Sequence, residues 1–582
     1  MKVNKFAALA VLGLVLLAGS AYAAAKPEDA LTSRPEDSVY AVLRLQDTSR
    51  FLRWTFSKEN VELLAPLFLK GKSKLEILAA SEFVSALAAM NPIRSAAVVV
   101  GMTKNDAKQK NTFVQAALTF SPEVRTSVLR IEAGLADASD VAKLLIGDST
   151  AANFAETMIK IAKEKDNIYR VNNDIFMVAA NDTVLLGSSV TEIRKALKSM
   201  NDKDTRLLTK KLRKFTAEDF AFVHVDYETA AELNDNLQSK DLESAKKYFV
   251  KPLEIEYAFT RLADKFLMSI AMNFREALAK KYADEIFAQA KNWKLVKGGN
   301  IDLAGIGGTA SPLIAVGTYI NFDALNEVDA WKPVLKAVLR NMRVRFGVAD
   351  EETKALLSGA FSLAVSGTVT YEGFKIPAVY VSQQGKDGAA AKVYDKLTKS
   401  QHFSKVKDGI LQLDSSVSPV SCLVADKGEK LGVYFAELAS LEQKPELVPA
   451  LADLMEHESI ASGWIDFAGI QNWLLDENNG VMPMAATFMM LGGYGKYYKA
   501  MQDILTAELS VPSVAVWCES PEVLHYEFAV KEINPENGLF MRIRKVHQEL
   551  NASADSSKAP AESKDVSGDI KSDTAAGKEK SE

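Results

Sequence analysis

The residues able to do chemistry are few, and their spacing does not suit the common chemistries. The 582-residue chain holds five histidines and two cysteines. His457-Glu458 begins like the zinc-protease helix H-E-x-x-H, but Ala461 stands where the second histidine is needed. His224 and His525 lie in strand-like runs, one in each half, where a histidine of a core or surface strand is the ordinary reading. Cys422 and Cys518 lack the close pairing of a zinc site. Gly71-Lys72-Ser73 ends like a phosphate-binding loop, but Pro66 stands where its first glycine belongs. Gly305, Gly307 and Gly308 lack the dinucleotide spacing, and no G-x-S-x-G nucleophile elbow occurs. The chain is therefore expected to be non-enzymatic and to carry no cofactor and no metal. Two carboxylates can converge in space without leaving a trace in spacing, so an envelope hydrolase with an unrecognised acidic site stands as an alternative.

Charge excludes another class. Lys and Arg number 70 against 75 Asp and Glu, a net charge of −5. Nucleic-acid binding, which calls for a basic domain, is not expected. Two basic clusters stand out: Lys210, Lys211, Arg213 and Lys214, and then Arg340, Arg343 and Arg345. The second shares a helical pattern with Val334, Leu335, Val338, Leu339 and Met342 on the other face. A solvated helix face is the plain reading there, and a phosphate or lipid-headgroup contact the functional one.

The elements that must position these residues come from a repeated phrase, a strand running through a polar residue into a helix. It reads SVYAVLRLQDTSRFL from Ser38, DFAFVHVDYETAAEL from Asp219, PLIAVGTYINFDALNEV from Pro312 and SIASGWIDFAGIQNWL from Ser459. The polar residues Asp47, Asp226, Asn321 and Asp466 are expected to cap the helices, accepting hydrogen bonds from the free N–H groups of a first turn. Between the phrases both halves run through a strand pair, a helix and a strand meander in the same order. Alternating strands bounded by turn residues mark antiparallel pairing, and the helices do not interleave one for one with strands. The expected fold is α+β, with two tandem homologous domains, each a mainly antiparallel sheet packed with helices. Residues 35–296 form the first, 297–309 a Gly-rich linker and 310–550 the second. Gly317 and Gly463, inside the strands of the third and fourth phrases, mark a bulge or a close backbone approach.

The ends have a different grammar. Lys2 and Lys5 precede an apolar run from Phe6 to Ala18 and a small-x-small site at Ala21-Tyr22-Ala23, the pattern of a secretory signal peptide over residues 1–23. The mature chain is expected in the periplasm or secreted, with no transmembrane anchor after signal cleavage. Residues 551–582 hold no aromatic residue and are expected to form a disordered tail.

The stretch from Val184 to Leu197, VLLGSSVTEIRKAL, together with the strand-helix opening, resembles that of a group of uncharacterised exported bacterial proteins. Leu431 to Leu441 takes the same place in the second half but departs from the pattern at the serines. The resemblance implies fold and export, and carries no catalytic residue.

Two features remain. Cys422 and Cys518 sit in strand-like runs of the second half, where neighbouring strands would bring them together as a disulfide; the alternative is two buried thiols. VMPMAATFMMLGGYGKYYKAM, from Val481, concentrates methionine, glycine and tyrosine. Met482, Met484, Phe488, Met489 and Met490 would offer an adaptable apolar contact if exposed, and the alternative is a buried helix ending in a glycine turn. The expected role is an exported binding or interaction protein of the bacterial cell envelope, its partner an envelope protein or an apolar ligand. A periplasmic lipid or apolar-ligand carrier is a further alternative.

Overall fold

The computed structural model describes residues 39–45, 92–104, 110–146, 159–172, 175–201, 219–226, 248–251, 253–261, 265–290, 293–303, 311–327, 331–492, 494–531, 533–534 and 537–556. The expected signal peptide, Asp47 and the chain after Ser556 lie outside the described residues. The fold is α+β.

The strands of the first half are β1 (Val39–Leu45), β2 (Ile93–Lys104), β3 (Lys110–Phe120), β4 (Ile161–Lys163), β5 (Tyr169–Val171), β6 (Ile175–Ala180), β7 (Thr183–Gly187), β8 (Asp219–Asp226), β9 (Glu254–Arg261) and β10 (Lys265–Met272). Its helices among the described residues are α1 (Arg125–Glu132), α2 (Ala138–Ile146), α3 (Val190–Asn201), α4 (Phe274–Ala277) and α5 (Lys280–Ala290). A short strand β11 (Val296–Lys297) leads into the second half. There β12 (Ile314–Ile320), β13 (Gly359–Tyr371), β14 (Phe374–Gln384), β15 (Phe403–Lys407), β16 (Ile410–Leu413), β17 (Leu423–Asp426), β18 (Lys430–Phe435), β19 (Glu458–Ser459), β20 (Ala461–Asp466), β21 (Ser513–Ser520) and β22 (Val523–Ala529) alternate with helices. These are α6 (Phe322–Glu327), α7 (Lys332–Phe346), α8 (Asp350–Leu356), α9 (Ala389–Thr398), α10 (Pro449–Glu456), α11 (Phe467–Leu475), α12 (Val481–Leu491), α13 (Gly495–Leu505) and α14 (Leu539–Ser556).

In space the strands of the first half run β4-β5-β6-β7-β3-β2-β1-β8-β9-β10, all antiparallel. The second half repeats that order as β15-β16-β17-β18-β14-β13-β12-β20-β21-β22. The two orders meet edge to edge, because β10 pairs with β22 from Lys265 opposite Ala529 to Ala271 opposite Val523. The result is one continuous sheet whose halves face each other across a pseudo-two-fold axis, the arrangement of an isologous dimer written into one chain. Each half's edge strand caps the other's, which removes two open edges that would otherwise recruit foreign strands.

Helices cover both sides of the sheet. Along β2, Ala97 and Val99 pack with Leu185 and with Ile193 of α3, while Ala96 and Val98 turn to the opposite face beside Leu118. Alternation along a strand makes this possible, and it explains why the run SAAVVVGM is apolar throughout. In the second half Ala364, Trp464 and Trp517 meet Leu451 and Leu454 of α10, and Val424 and Leu431 meet Val393 and Leu397 of α9.

The expected Gly-rich linker contributes to packing over its described part. Gly298 and Gly299 are buried in a single turn with left-handed backbone, and Ile301 is in the core. The backbone at Ile301 crosses β12 directly over Gly317, where any Cβ would collide with the Ile301 nitrogen. The close approach expected at Gly317 is thus made by the connection itself, whereas at Gly463 a Cβ would meet nothing nearer than Ala315 O at 4.0 Å, so no close approach is made there.

The disulfide is not formed: both thiols are free. Cys422 immediately precedes β17 and Cys518 lies on β21, six strand spacings apart through β20, β12, β13, β14 and β18. At ~4.8 Å per spacing the separation along the sheet is ~29 Å, far beyond the ~6 Å Cα reach of a disulfide. Burial pushes the Cys422 thiol up to about 11 and raises that of Cys518, so neither is a ready nucleophile at neutral pH. At the C-terminal end, α14 continues to Ser556. Residues 551–556, assigned from composition to the tail, therefore extend a helix, in keeping with the two alanines among them.

Candidate functional site

The caps can be followed at two of the four phrases. Asp466 ends β20, and its Oδ1 accepts from Gly469 N of α11 at 2.7 Å. Burial pushes its pKa up against the opposing pull of hydrogen bonds from the Gly469 and Ala468 amides. Asn321 directly follows β12, and its Oδ1 accepts from Asp323 N at 3.1 Å. Asp226 is the last residue of β8; residues 227–247 lie outside the described residues, as Asp47 does. The described caps are engaged with their own helices, and the phrases do not bring Asn321 and Asp466 to one rim. Antiparallel β12 and β20 place Ile314 opposite Ile465, which puts the two caps at opposite ends of the strands.

The methionine-rich segment forms α12 and the start of α13, joined through a turn at Gly492. Its side chains divide. Met482 is buried, Met489 is half-buried, and Met484 and Met490 are exposed; the side chain of Phe488 lies outside the described residues. Leu491 is 82 % exposed and Met490 65 %, with Tyr494 and Tyr497 exposed beside them. In the helices packed with α12 most residues are half-buried, and Phe467 of α11 and Tyr497 of α13 are their exposed large apolar side chains. The sequence FAGIQNWLL of α11 is strongly apolar and would ordinarily be core. A large aliphatic side chain left in water forgoes roughly 1.5–3 kcal/mol. Neither a buried helix nor a solvated polar one describes this layer; it is half-buried, with an apolar edge exposed at Phe467, Met484, Met490, Leu491, Tyr494 and Tyr497.

A second constellation lies at the seam of the sheet. Ser269 on β10 and His525 on β22 face each other, and Ser269 Oγ lies 2.8 Å from His525 Nδ1. Glu519 Oε2 lies 3.2 Å from Nε2 of the same ring. A carboxylate can only accept, so Nε2 carries a proton, and in the neutral ring Nδ1 accepts from the serine hydroxyl. The connectivity is that of a nucleophile, a base and an orienting acid. The surroundings are not. Ser269 is 7 % exposed in mid-strand, and its backbone is committed to ladders with both β9 and β22. The ring of His525 is stacked on Trp517 at 5.1 Å, and Trp517 is stacked on His457 at 4.3 Å. The flanking N–H groups are spent in strand pairing, so they are not placed to receive an oxyanion. Lys265 bridges the same seam, 2.5 Å from Asp453 of α10 and 3.1 Å from Glu527 of β22. The constellation holds two edge strands in register.

Sequence reasoning missed Ser269 and Glu519. The signal was in the repeat. Ile255 and Val514 are equivalent because each lies opposite the residue before the phrase's final aspartate. Their partners across the next pairing are Met272 and Phe528, so Ser269 and His525 are equivalent positions. The pseudo-two-fold axis passes between them.

Among the described residues no cluster of three or more His, Cys, Asp or Glu could hold a metal ion, and no helix is long and apolar enough to cross a membrane. No family model matches the chain, and no curated protein matches it. Among solved structures it is similar to crystal form III of TP0453, at 10% identity and a TM-score of 0.22, over 46% of this chain and 87% of that one. A likeness at that score carries no argument about fold or function.

Proposed function

We propose that the chain is an exported, non-catalytic binding protein of the bacterial cell envelope that engages its partner through α11, α12 and α13. The observation that supports this is the apolar helix layer itself, with Leu491 82 % exposed at its turn. Exposed apolar patches of this kind mark contact surfaces, and methionine suits them because its side chain adapts to varied shapes. The partner face is correspondingly apolar, that of an envelope protein. The Ser269–His525–Glu519 relay favours a hydrolase only in its connectivity; burial of the hydroxyl within a strand argues for a structural role.

The test uses Leu491→Asp in the host. Because the side chain is exposed, thermal melting is expected to be unchanged. The wild-type protein is expected to migrate in native gels of an envelope extract as a complex larger than one chain, and the variant as the bare chain. Identical migration of the two would overturn the proposal.

A further inference from the structure

We infer that α7 is a docking helix for the surface of an anionic phospholipid bilayer, a role separate from the partner contact at α11–α13. The helix reads KPVLKAVLRNMRVRF and carries Lys332, Lys336, Arg340, Arg343 and Arg345 with no acidic residue. Only Leu335 is buried. Leu335, Leu339, Met342 and Phe346 recur at helical spacing on the inward stripe, and Met342 and Phe346 pack against the cluster formed with α8 and α9. The outward stripe, half a turn away, holds Pro333, Ala337 and Val344, with Val334 at its edge. Val344 is 71 % exposed, and Val334 and Trp331, which precedes the helix, are exposed as well. Arg340 and Lys336 flank that stripe on one side and Arg345 on the other. Asp350 at the start of α8 holds Arg343 at 3.0 Å. Lys336, Arg340 and Arg345 make no ion pair with the described residues.

A solvated helix face commonly mixes both signs of charge, whereas α7 carries cations alone beside its outward valines. A helix bound to nucleic acid or to an acidic protein tail would use the cations but gain nothing from Val344 or Trp331. An apolar stripe bordered by lysine and arginine, with a tryptophan at one end, suits a helix lying in the plane of a membrane interface. There the valines and the tryptophan enter the headgroup boundary and the cations meet lipid phosphates. The fold leaves this helix free to do so. It lies in the connection from β12 to β13, at the strand ends where Ile320 faces Gly359. The layer α11–α13 leaves from the opposite ends, where Asp466 faces Ser513. Strands of six or seven residues separate the two surfaces by ~20 Å, so both can be occupied together.

The experiment is co-sedimentation of the full protein, as its host produces it, with vesicles of pure phosphatidylcholine and with vesicles containing phosphatidylglycerol as about one third of the lipid. Binding is expected to the anionic vesicles only and to weaken as salt rises. The double variant Lys336→Gln and Arg340→Gln is expected to bind ~thirty-fold more weakly. Val344→Asp is expected to bind more weakly than wild type at the same salt. Equal binding to both vesicle types would overturn the inference, as would wild-type binding by the double variant. Binding to soluble polyglutamate as strong as to vesicles, with Val344→Asp changing neither, would show a polyanion site without bilayer contact and overturn it equally. Should a variant fail to fold, the lipid and salt dependence of the wild-type protein decides.

Discussion

Asp466 shows how one side chain turns a strand into a helix. Its carboxylate accepts from the Gly469 amide at 2.7 Å, and this hydrogen bond satisfies a donor that would otherwise be orphaned in the first turn of α11. Replacement by alanine is expected to cost ~1 kcal/mol, and replacement by asparagine much less, since asparagine caps as well; urea denaturation of the two variants measures the difference. Asp140 makes the complementary case in acid. It accepts from Arg130 Nε at 2.7 Å, Ser127 Oγ at 3.1 Å and Asp137 N at 3.0 Å. Burial pushes its pKa up, but these hydrogen bonds, led by that from Arg130, outweigh burial and hold it below the ordinary value. A carboxylate depressed by folding contributes stability that is present above its unfolded pKa and is lost as pH falls through its folded pKa. The melting temperature should therefore decline at acid pH, and Asp140→Asn should flatten that decline while lowering stability at pH 7. A variant as steep as wild type would show that another carboxylate dominates. The caps at Asn321 and Asp466 were legible because Asp and Asn before an apolar-periodic helix have few other uses. The disulfide was not: two cysteines in strand-like runs say nothing about how many strands separate them.

Among the elements, the connection between the halves and the helix α7 had opposite legibility. The glycines before β12 read as a flexible joint. In the fold, Gly298 and Gly299 supply left-handed backbone at a buried turn, and Ile301 presses its backbone onto β12 at Gly317. Composition cannot separate a glycine that loosens a chain from one that admits a neighbouring backbone. Gly317→Ala is expected to destabilise by more than ~2 kcal/mol, because the obstacle is main chain that cannot rotate away; a thermal melt close to wild type would mean that the crossing is looser than described. In α7 the periodicity of Val334, Leu335, Val338, Leu339 and Met342 was visible, but not which stripe faced inward. The fold settles it by burying Leu335 and leaving Val344 exposed. The Met-rich helix posed the same difficulty: apolar all round, it matched a buried helix, and only the exposure of Met484, Met490 and Leu491 distinguishes it.

For the whole molecule, the repeat order of strands was readable from four copies of one phrase, while their union into a single sheet was not. Each half's hairpin, β9–β10 and β21–β22, looks complete in sequence, and nothing local says that its outer strand pairs across nearly half the chain. The physical reason lies in edge protection: two equivalent open edges satisfy each other's N–H and C=O groups, and the duplication supplies both at high effective concentration. On this account the two halves form one continuous antiparallel sheet. Its polar seam of Ser269, His525 and Lys265 joins the two halves, and helices leave from both ends of the strands. The most direct test is the double variant Ser269→Cys, His525→Cys under mild oxidation. Opposed residues of an antiparallel pair stand ~4.5–5.5 Å apart, within reach of a disulfide. The account predicts a cross-link in the folded chain, seen as a mass loss of two hydrogens and as one peptide joining β10 to β22 after digestion. Two free thiols at these positions in a folded protein would contradict it, and the halves would then be separate sheets.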